Sequence, residues 1–377
     1  MSDPARILLF TGKGGVGKTT LAAATAARLA VGGRKVLVAS ADPAHSLGDV
    51  FGLPIGAEPS EVDTCLYAAH VDARGLVDKA WQDLRRQLHT VLAGAGLDAL
   101  DAAELTVLPG VDELLALTEV ARLAQEGPWE VVVVDCGPTA ETLRLLALPE
   151  AIAGYLSKIA VPVAALTRLA DHLANLRRLL VDPKVTSVRV VLTPERLVVA
   201  ETRRTLAALA LRGIKVDGLV ANRLVPKARR WIGPAASWLR VRRGEQDAVL
   251  AELDASAPLP VQRVEHRPAE PVGTAALLEL ATDLYGESDP LADDNPFTTP
   301  LLSIEAVGDG VYELTVALPL TDASDLALSR VGDDLAITVD GMRRVVALPA
   351  LLRRFTVTDA VARPTGLVLR FEAGGES

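Results

Sequence analysis

The stretch from Phe10 to Leu21, FTGKGGVGKTTL, decides the fold class of this chain. It fits the phosphate-loop motif G-x-x-x-x-G-K-[ST] and stands between the apolar run ARILLFT and a helical pattern, which is the context that the motif requires. Its glycines let backbone N–H groups close around phosphate oxygens, and the amino end of the next helix adds positive potential. The sequence therefore predicts a nucleotide-binding P-loop domain.

The residue types of this loop have separate predicted roles. The ammonium of Lys18 is placed against the β- and γ-phosphates of ATP, and the hydroxyl of Thr19 is offered to Mg²⁺. Lys13 is interpreted as a second cation that reaches a phosphate across a subunit interface, with a solvated surface lysine as the alternative. The predicted ATP-binding residues of the loop are Gly12, Lys13, Gly14, Gly15, Val16, Gly17, Lys18, Thr19 and Thr20.

Two aspartates that follow other apolar runs complete the predicted site. Asp135 closes EVVVVD, the position of a Walker B carboxylate on the Mg²⁺ side. Asp42 follows KVLVAS, where a carboxylate can orient the attacking water; a helix cap or turn residue is the alternative. His45 is either a nucleotide sensor or a structural histidine at a helix start. The predicted catalytic residues are Asp42, Lys13 and Lys18, and the predicted Mg²⁺ set is Thr19, Asp42 and Asp135, partly through water.

Strand and helix patterns alternate up to about residue 282. The strand candidates are apolar at every position, which fits strands buried on both faces of a parallel sheet. Helical stretches such as Thr20–Ala30 and Glu201–Leu211 separate them. We predict an α/β P-loop NTPase domain over residues 1–284, with a doubly wound, mostly parallel sheet whose ligands bind at the carboxyl ends of the strands.

The composition changes at residues 285–300, YGESDPLADDNPFTTP, which is predicted to be a linker because it is rich in Asp, Pro and small polar residues. Beyond it the apolar period becomes two, so that Leu314 and Val316 share one face of a strand, as do Leu335 and Ile337. Several short alternating strands in residues 301–377 predict a small all-β sandwich.

Charge and length exclude some functional classes. The net charge of -9 argues against a nucleic-acid partner. The basic segment Arg223–Arg243, which contains Trp231 and Trp238, is interpreted as a solvated helical face rather than a nucleic-acid surface. The amino terminus has no signal-peptide pattern, and no apolar run reaches the length of a membrane helix, so a cytoplasmic location is predicted. A membrane partner is possible but is not indicated by the sequence.

Five segments in one order, GKGGVGKT, DPAHSLGDVF, LPGVDELLAL, DCGPTAETLRLLALP and ANRL, resemble the ArsA-type ATPases over about residues 5–282. This family of deviant Walker A proteins includes the arsenical pump-driving ATPase and the eukaryotic ATPase that targets tail-anchored membrane proteins. The resemblance implies a dimer that opens and closes as ATP is bound and hydrolysed. Because the chain has one phosphate loop, the implied dimer is a homodimer.

The resemblance also implies roles for single residues. Lys13 matches the lysine that contacts nucleotide across the dimer, Asp42 the aspartate that activates water, and Asn222 an asparagine that recognises adenine. Asp135 matches the Mg²⁺-side aspartate that opens the second switch loop. The implied switch residues are Asp42, Pro43, His45, Asp135, Gly137, Pro138 and Thr139.

The carboxyl-terminal part has a resemblance of its own. YELTVALP, DLALSRVGDDLAITVDGMRRVVALP and GLVLRF look like the α-crystallin domain of small heat-shock proteins. Val368 replaces the leucine of the family's Gly-x-Leu motif, and the tail EAGGES lacks an Ile-x-Ile anchor. Large self-assembled oligomers are therefore not expected.

Departures from the family narrow the expected partners. The chain has no C-x-x-C pair for a zinc clamp, and Cys65, in a predicted strand, and Cys136 do not match the family's metalloid cysteines, so neither a zinc nor a metalloid site is expected. The positions of the same two cysteines also argue against a [4Fe–4S] cluster.

The expected client surface also differs from that of the family. Because the chain has only two methionines, a methionine-rich client groove is excluded. The helical stripes at residues 77–91 and 114–120 are interpreted as core packing, with a client surface as the alternative.

These observations leave two main hypotheses. The first is a Mg²⁺-dependent, homodimeric ATPase whose opening and closing handles a hydrophobic protein client. The second is a binding module, in which the α-crystallin-like domain binds clients by strand addition and the ATPase is a slow switch. An ATPase that drives arsenite efflux is the less favoured third reading.

Overall fold

The structure is a computed structural model of the 377-residue chain. It describes residues 4–41, 46–71, 111–136, 164–228, 232–256, 259–292, 302–308, 310–317, 326–339, 342–349, 351–363 and 366–373. By internal contacts the chain divides into a first unit, of residues 1–188 and 268–292, and a second unit, of residues 189–267 and 293–377. The boundary predicted at residues 285–300 stays a prediction, because 293–300 lie outside the described residues.

The elements are numbered along the described chain. The helices are α1 Lys18–Val31, α2 Ser46–Phe51, α3 Val111–Glu126, α4 Ala164–Val181, α5 Arg196–Leu211, α6 Pro234–Ser256 and α7 Thr274–Tyr285. The strands that precede the carboxyl-terminal part are β1 Arg6–Thr11, β2 Val36–Ser40, β3 Ser60–Asp63, β4 Leu66–His70, β5 Val131–Asp135, β6 Thr186–Leu192, β7 Val216–Leu224 and β8 Val261–Glu265. Seven more strands follow: β9 Leu302–Gly308, β10 Val311–Ala317, β11 Leu326–Val331, β12 Asp334–Val339, β13 Met342–Ala347, β14 Phe355–Arg363 and β15 Gly366–Ala373.

Strands β1 to β8 form one sheet in the order β3-β4-β2-β5-β1-β6-β7-β8. Pairing is parallel between β1 and β5, β2 and β5, β2 and β4, and β7 and β8, so the predicted mostly parallel α/β sheet is confirmed. Every residue of β2, β5 and β6 is buried, as expected for strands covered on both faces. Chain order and spatial order differ because the crossovers place β5 between β1 and β2.

Two features of the sheet escaped the sequence patterns. Strand β3 pairs antiparallel with β4, and its sequence, SEVD, has only polar residues and one valine. The prediction that Cys65 lies in a strand is wrong: Cys65 has φ 61 and lies in the turn between β3 and β4. Polar edge strands and left-handed turn residues other than glycine leave little signal in a single sequence.

Helix α1 connects the phosphate loop to the sheet. Its sequence, KTTLAAATAARLAV, is rich in alanine, which favours helix and lets the helix approach the strands closely, and nine of its residues are buried. The hydroxyl groups of Thr25 and Tyr285 share a buried hydrogen bond of 2.7 Å that joins α1 to α7. Arg34 and Asp289 form a two-bond ion pair just beyond these helices. The residues that follow α7 are thereby held against the first unit.

The carboxyl-terminal strands form two antiparallel sheets, one in the order β14-β15-β10-β9 and one in the order β11-β12-β13. Their inward side chains share one buried cluster, to which β10, β12 and β15 contribute the alternating residues Leu314, Val316, Leu335, Ile337, Leu367, Leu369 and Phe371. The period of two correctly predicted this face. The predicted all-β fold is confirmed, and the shared cluster makes it a sandwich.

Helix α5 contributes to the same cluster. Ala207 and Leu211, each 1% exposed, pack with the core of the sandwich, and Ala210 packs against it. At 100° per residue, these positions lie on the opposite side of α5 from Val198 and Thr202, which are also buried. A helix buried on two faces joins the sandwich to residues 189–267, the rest of the second unit, by a packed contact.

Candidate functional site

The phosphate loop follows β1 and begins α1, as predicted. Gly15 has φ 80, and Gly17, the residue before α1, has φ 95 and ψ 29. These left-handed backbone conformations are strained for any residue with a Cβ, which explains glycine at both positions. A Cβ built at Gly14 or Gly15 would meet no atom within 4 Å. The loop therefore borders open space, and side chains there would occupy the volume that phosphate oxygens need.

The two lysines of the loop are in different positions. The Nζ atom of Lys18 donates a hydrogen bond of 3.3 Å to the backbone carbonyl of Lys13, so its ammonium is folded against the loop. Lys18 is half-buried at the first turn of α1, whereas Lys13 is exposed. One cation therefore contacts the backbone of the loop, and the other belongs to an exposed residue.

A buried carboxylate lies beside the helix end of the loop. Asp135 is fully buried, and its Oδ2 accepts a hydrogen bond of 2.6 Å from Thr19 Oγ1 and one of 3.3 Å from Ser40 Oγ. Strand pairing brings this about, because Asp135 is the register partner of Phe10 in β1 and of Ser40 in β2. The carboxyl ends of three adjacent strands meet here, where an open α/β sheet binds its ligands.

Two residues of this arrangement were missed by the sequence analysis. Ser40 is the last residue of β2, and Ser46, the first residue of α2, has its Oγ 3.2 Å from Thr19 Oγ1. A serine closing an apolar strand is a weak signal, although Ser40 stands at the carboxyl end where polar groups were expected. Ser46 had no signal that distinguished it from an ordinary serine at a helix start.

The thiol of Cys136, next to the carboxylate of Asp135, is in an environment that makes it unreactive. Cys136 is buried, and burial, followed by the negative charge of Asp135, raises the pKa of its thiol far above the ordinary value, against a smaller lowering by Lys18. A thiol with a raised pKa stays protonated near neutral pH, and protonated thiols are poor metal ligands and nucleophiles. Cys136 is therefore a small buried residue directly after β5 rather than a reactive thiol.

Several predicted residues lie outside the described part of the chain. They are Asp42, Pro43, His45, Gly137, Pro138 and Thr139, so the predicted water-orienting and switch roles stay predictions. Asn222 is described in the second unit, near the carboxyl end of β7, where its Oδ1 accepts a hydrogen bond of 2.8 Å from the backbone N–H of Arg223. Its predicted contact with adenine also stays a prediction.

The residues present fit an ATP-bound Mg²⁺ ion. The hydroxyl of Thr19 and the carboxylate of Asp135 are already in contact, and both are oxygen groups of the kind that Mg²⁺ prefers. Mg²⁺ usually takes one or two protein oxygens and completes its shell with water and phosphate. The ion would neutralise charge on the β- and γ-phosphates, while Thr19 and Asp135 would hold it at the helix end of the loop.

The comparison with known families decides the assignment. A family model described as anion-transporting ATPase matches residues 5–177 and 161–286. The chain belongs to the ArsA-type ATPase family. A second model, described as an HSP20-like domain found in ArsA, matches residues 309–371 of this ArsA-type ATPase. Both resemblances in the sequence are thereby confirmed, and so is the enzyme class.

Relatives of this ArsA-type ATPase match it over different lengths. A Mycobacterium tuberculosis protein named "Protein Rv2184c" is 38% identical, with 99% of this chain and 97% of the relative covered. A Prosthecochloris vibrioformis protein named "Putative arsenical pump-driving ATPase" is 33% identical, with 97% and 96% covered. The Escherichia coli "Arsenical pump-driving ATPase" is 32% identical over 78% of this chain but only 52% of its own length. The two-part layout of this chain therefore spans nearly all of the first two relatives.

The described ranges contain neither a membrane-spanning helix nor a cluster of metal ligands. Within the described ranges, no helix is both long enough and apolar enough to cross a bilayer. In the same ranges, no three side chains of His, Cys, Asp or Glu come together as a metal site. Leu117 and Val120, from one of the two stripes considered as a client surface, are 4% and 2% exposed and pack in the core. The other stripe, at residues 77–91, lies outside the described residues.

Proposed function

We propose that this ArsA-type ATPase hydrolyses ATP with Mg²⁺ as a homodimer and couples the reaction to handling of a hydrophobic protein client. The observation that carries the catalytic part is the contact of 2.6 Å between Thr19 and the fully buried Asp135 beside the phosphate loop. These groups bind and orient the Mg²⁺ side of the nucleotide, while Lys18 and the loop backbone bind the phosphates. Asp42 orients the attacking water, and Asn222 recognises adenine.

The exposed second lysine supports the dimer. The Nζ atom of Lys18 already contacts its own loop at the carbonyl of Lys13, whereas Lys13 is exposed. A cation supplied from a partner stabilises charge on the transferred phosphoryl group and links hydrolysis to assembly. Two copies facing each other over ATP would each receive Lys13 from the other.

ATP turnover by two variants tests the catalytic part. We expect Lys18→Ala and Asp42→Asn each to lower kcat by about 100-fold or more, since both act on the phosphoryl group or its attacking water. Steady-state phosphate release with Mg²⁺ is the measurement, and Lys184→Ala, an exposed lysine on the turn before β6, is the matched control. Parent-like turnover by both variants would contradict the assigned roles.

The client part rests on the HSP20-like half. Strands β9 and β14 are the two edges of the four-stranded sheet, and each carries an exposed valine, Val307 at 49% and Val361 at 45%. An extended client segment can add to such an edge through main-chain hydrogen bonds. In the second candidate function, client binding at this edge is the main activity, and ATP hydrolysis is a slow switch that controls when it occurs.

The two client proposals can be separated either by deleting residues 296–377 or by substitutions at the sheet edges, and the substitutions disturb the fold less. The deletion would uncover the packed face of α5 at Ala207 and Leu211 and could unfold the second unit. We expect Val307→Lys and Val361→Lys to keep the fold, because both side chains are exposed. If aggregation of a denatured test protein is suppressed equally by parent and variants, the edges do not bind the client.

Arsenite efflux is the less favoured reading for this chain. Relatives carry the arsenical pump-driving name, but the described thiols do not form a metalloid site: Cys136 is buried with a raised thiol pKa, and Cys65 lies in a turn. Trivalent arsenic binds thiolates, so stimulation of ATP turnover needs accessible sulfur ligands. Stimulation of hydrolysis by arsenite that is lost in Cys65→Ser would overturn this preference.

A further inference from the structure

Strand β7 contains a β-bulge near its carboxyl end. Strands β7 and β8 are in register at Ala221 and again at Leu224, but β7 has two residues between these points, Asn222 and Arg223, where β8 has one. Arg223 has φ 58, a left-handed backbone conformation that is strained for a residue with a Cβ. An extra residue of this kind re-aims the side chains beside it, and bulges are common next to active sites. The bulge therefore helps to set the direction of the Asn222 side chain.

A buried glutamine of α6 supports this bulge. Gln246 is 4% exposed, and its Oε1 accepts a hydrogen bond of 2.8 Å from the backbone N–H of Val225. Its Nε2 donates a longer bond, of 3.4 Å, to the backbone carbonyl of Arg223. Backbone groups that a bulge takes out of the strand ladder need other partners when they are shielded from water. One side-chain amide supplies two such partners, on either side of Leu224.

An arginine of α6 holds the next carbonyl of the same segment. Arg243 lies three residues before Gln246 and so on the same side of the helix. Its Nη1 donates a hydrogen bond of 2.7 Å to the backbone carbonyl of Val225 and one of 2.9 Å to Glu265 Oε1 on β8. Its Nε donates a bond of 2.9 Å to Asp247 Oδ1, so two carboxylates orient the guanidinium. Two neighbouring positions of α6 therefore fix the backbone that follows the bulge.

We propose that Gln246, assisted by Arg243, is a positioning residue for the recognition of adenine by Asn222. This role rests on the adenine contact proposed above for Asn222 and adds the side chains that hold it. An amide distinguishes bases through hydrogen bonds whose angle matters, so the backbone that carries it has to be held in one conformation. The left-handed conformation of Arg223 is not the preferred one and needs such support. Gln246 and Arg243 act through the bulge and do not contact the nucleotide.

A purely structural link between α6 and β7 is the alternative role of Gln246. Loss of a structural link lowers stability and weakens the binding of every nucleotide by the same factor. Loss of the direction of Asn222 weakens the binding of ATP alone, because adenine carries an amino donor where guanine carries a carbonyl acceptor. The preference for ATP over GTP therefore distinguishes the two roles, whereas stability does not.

Equilibrium binding of ATP and GTP, each with Mg²⁺, to the full chain tests this role, and the measured quantity is the ratio of the two Kd values. Gln246→Met keeps the length of the side chain but removes its amide, so we expect the preference for ATP to fall about fivefold or more. Arg243→Met removes the second support and should lower the preference by a smaller factor. Lys18→Ala should weaken both nucleotides equally, because its ammonium binds phosphate. Leu253→Ala, at a fully buried position of α6, is the matched control for packing and should keep the parent's ratio.

Asn222→Ala separates the positioning role from the adenine contact on which it rests. This substitution should remove most of the preference for ATP, and adding Gln246→Met should cause little further loss, because both changes affect the same contact. If Asn222→Ala loses the preference but Gln246→Met and Arg243→Met keep it, the adenine contact stands and the positioning role is overturned. Equal weakening of ATP and GTP by Gln246→Met would also overturn that role, in favour of a structural link. If Asn222→Ala keeps the parent's ratio, the adenine contact fails and the positioning role fails with it.

Discussion

Each unit of the molecule holds a carboxylate that is largely shielded from solvent, and the partners of the two carboxylates differ. In the first unit, Asp135 is held by the neutral hydroxyl groups of Thr19 and Ser40 at the carboxyl end of β5. In the second unit, Asp217 on β7 receives two hydrogen bonds from the guanidinium of Arg189 on β6, at 3.1 and 2.9 Å. A guanidinium neutralises the charge that it binds, whereas hydroxyl groups only orient it. These partners agree with the proposed metal-side role of Asp135 and with a structural ion pair at Asp217.

The largest loss of stability is expected when the ion pair between Arg189 and Asp217 is broken. Arg189 and Asp217 have side chains only 8% and 14% exposed, so Asp217→Ala leaves a buried cation without its carboxylate and should lower the free energy of unfolding by about 3–5 kcal/mol. Urea unfolding is the measurement. The double variant Arg189→Met, Asp217→Leu should recover most of the loss, and failure to recover would mean that the charges do more than neutralise each other.

The next effect concerns the packing that joins α5 to the sandwich. Leu211 is 1% exposed in the shared cluster, so Leu211→Ala should cost about 2–4 kcal/mol of unfolding free energy through lost burial and a cavity. Leu197, 80% exposed on the same helix, is the matched control, and Leu197→Ala should leave stability unchanged. Equal effects of the two substitutions would show that the sandwich does not pack on α5.

Removing the carboxylate charge of Asp135 should impair catalysis without lowering stability, in contrast to the loss of stability expected at Asp217. Asp135→Asn keeps the shape of the side chain but removes the charge, so the Mg²⁺ concentration for half-maximal ATP turnover should rise about 10- to 100-fold, or about 1.4–2.7 kcal/mol. Thermal unfolding of the variant without nucleotide should match or exceed that of the parent, because a buried charge has been removed. An unchanged Mg²⁺ requirement would remove Asp135 from the metal side.

The smallest effect is expected at an exposed ion pair of the first unit. The guanidinium of Arg34 lowers the pKa of the Asp289 carboxyl, so the pair stabilises the fold above the unfolded carboxyl pKa, and this contribution is lost as the pH falls through the lower folded value. Because both side chains are more than a third exposed, the contribution at pH 7 is only about 0.2–1 kcal/mol. The difference in unfolding free energy between the parent and Asp289→Asn should shrink towards zero near pH 3 and in high salt. A difference that grows as the pH falls would contradict a stabilising contribution from the ionised Asp289 carboxylate.

The sequence predicted what depends on contiguous residues and missed what depends on distant ones. The phosphate loop, the buried parallel strands and the alternating face of the sandwich all leave periodic or local patterns, and the structure confirms them. The contacts of Ser40 and Ser46 with the site depend on strand register and on the start of α2, and neither serine is unusual in its own segment. The two buried faces of α5 were likewise missed, because only the sandwich explains the second one.

The exposed apolar residues of α6 are a further feature that the sequence alone could not establish. Its basic residues and tryptophans were visible in the sequence and were interpreted as a solvated helical face. In the folded chain Trp238 and Val241 are each 64% exposed, which agrees with an exposed helical face. A sequence shows which residues are apolar, but only a fold shows which of them remain uncovered.

Complementation between two inactive variants tests most directly the claim that ATP hydrolysis requires Lys13 from a second copy. Lys13→Ala lacks the cation given to its partner, and Asp42→Asn lacks the group that orients water in its own site. A mixed dimer keeps one complete site, so an equimolar mixture of the two should regain about a quarter of the parent's ATP turnover, since half of the dimers are mixed and half of their sites are complete. A mixture no more active than its separate components would contradict the account.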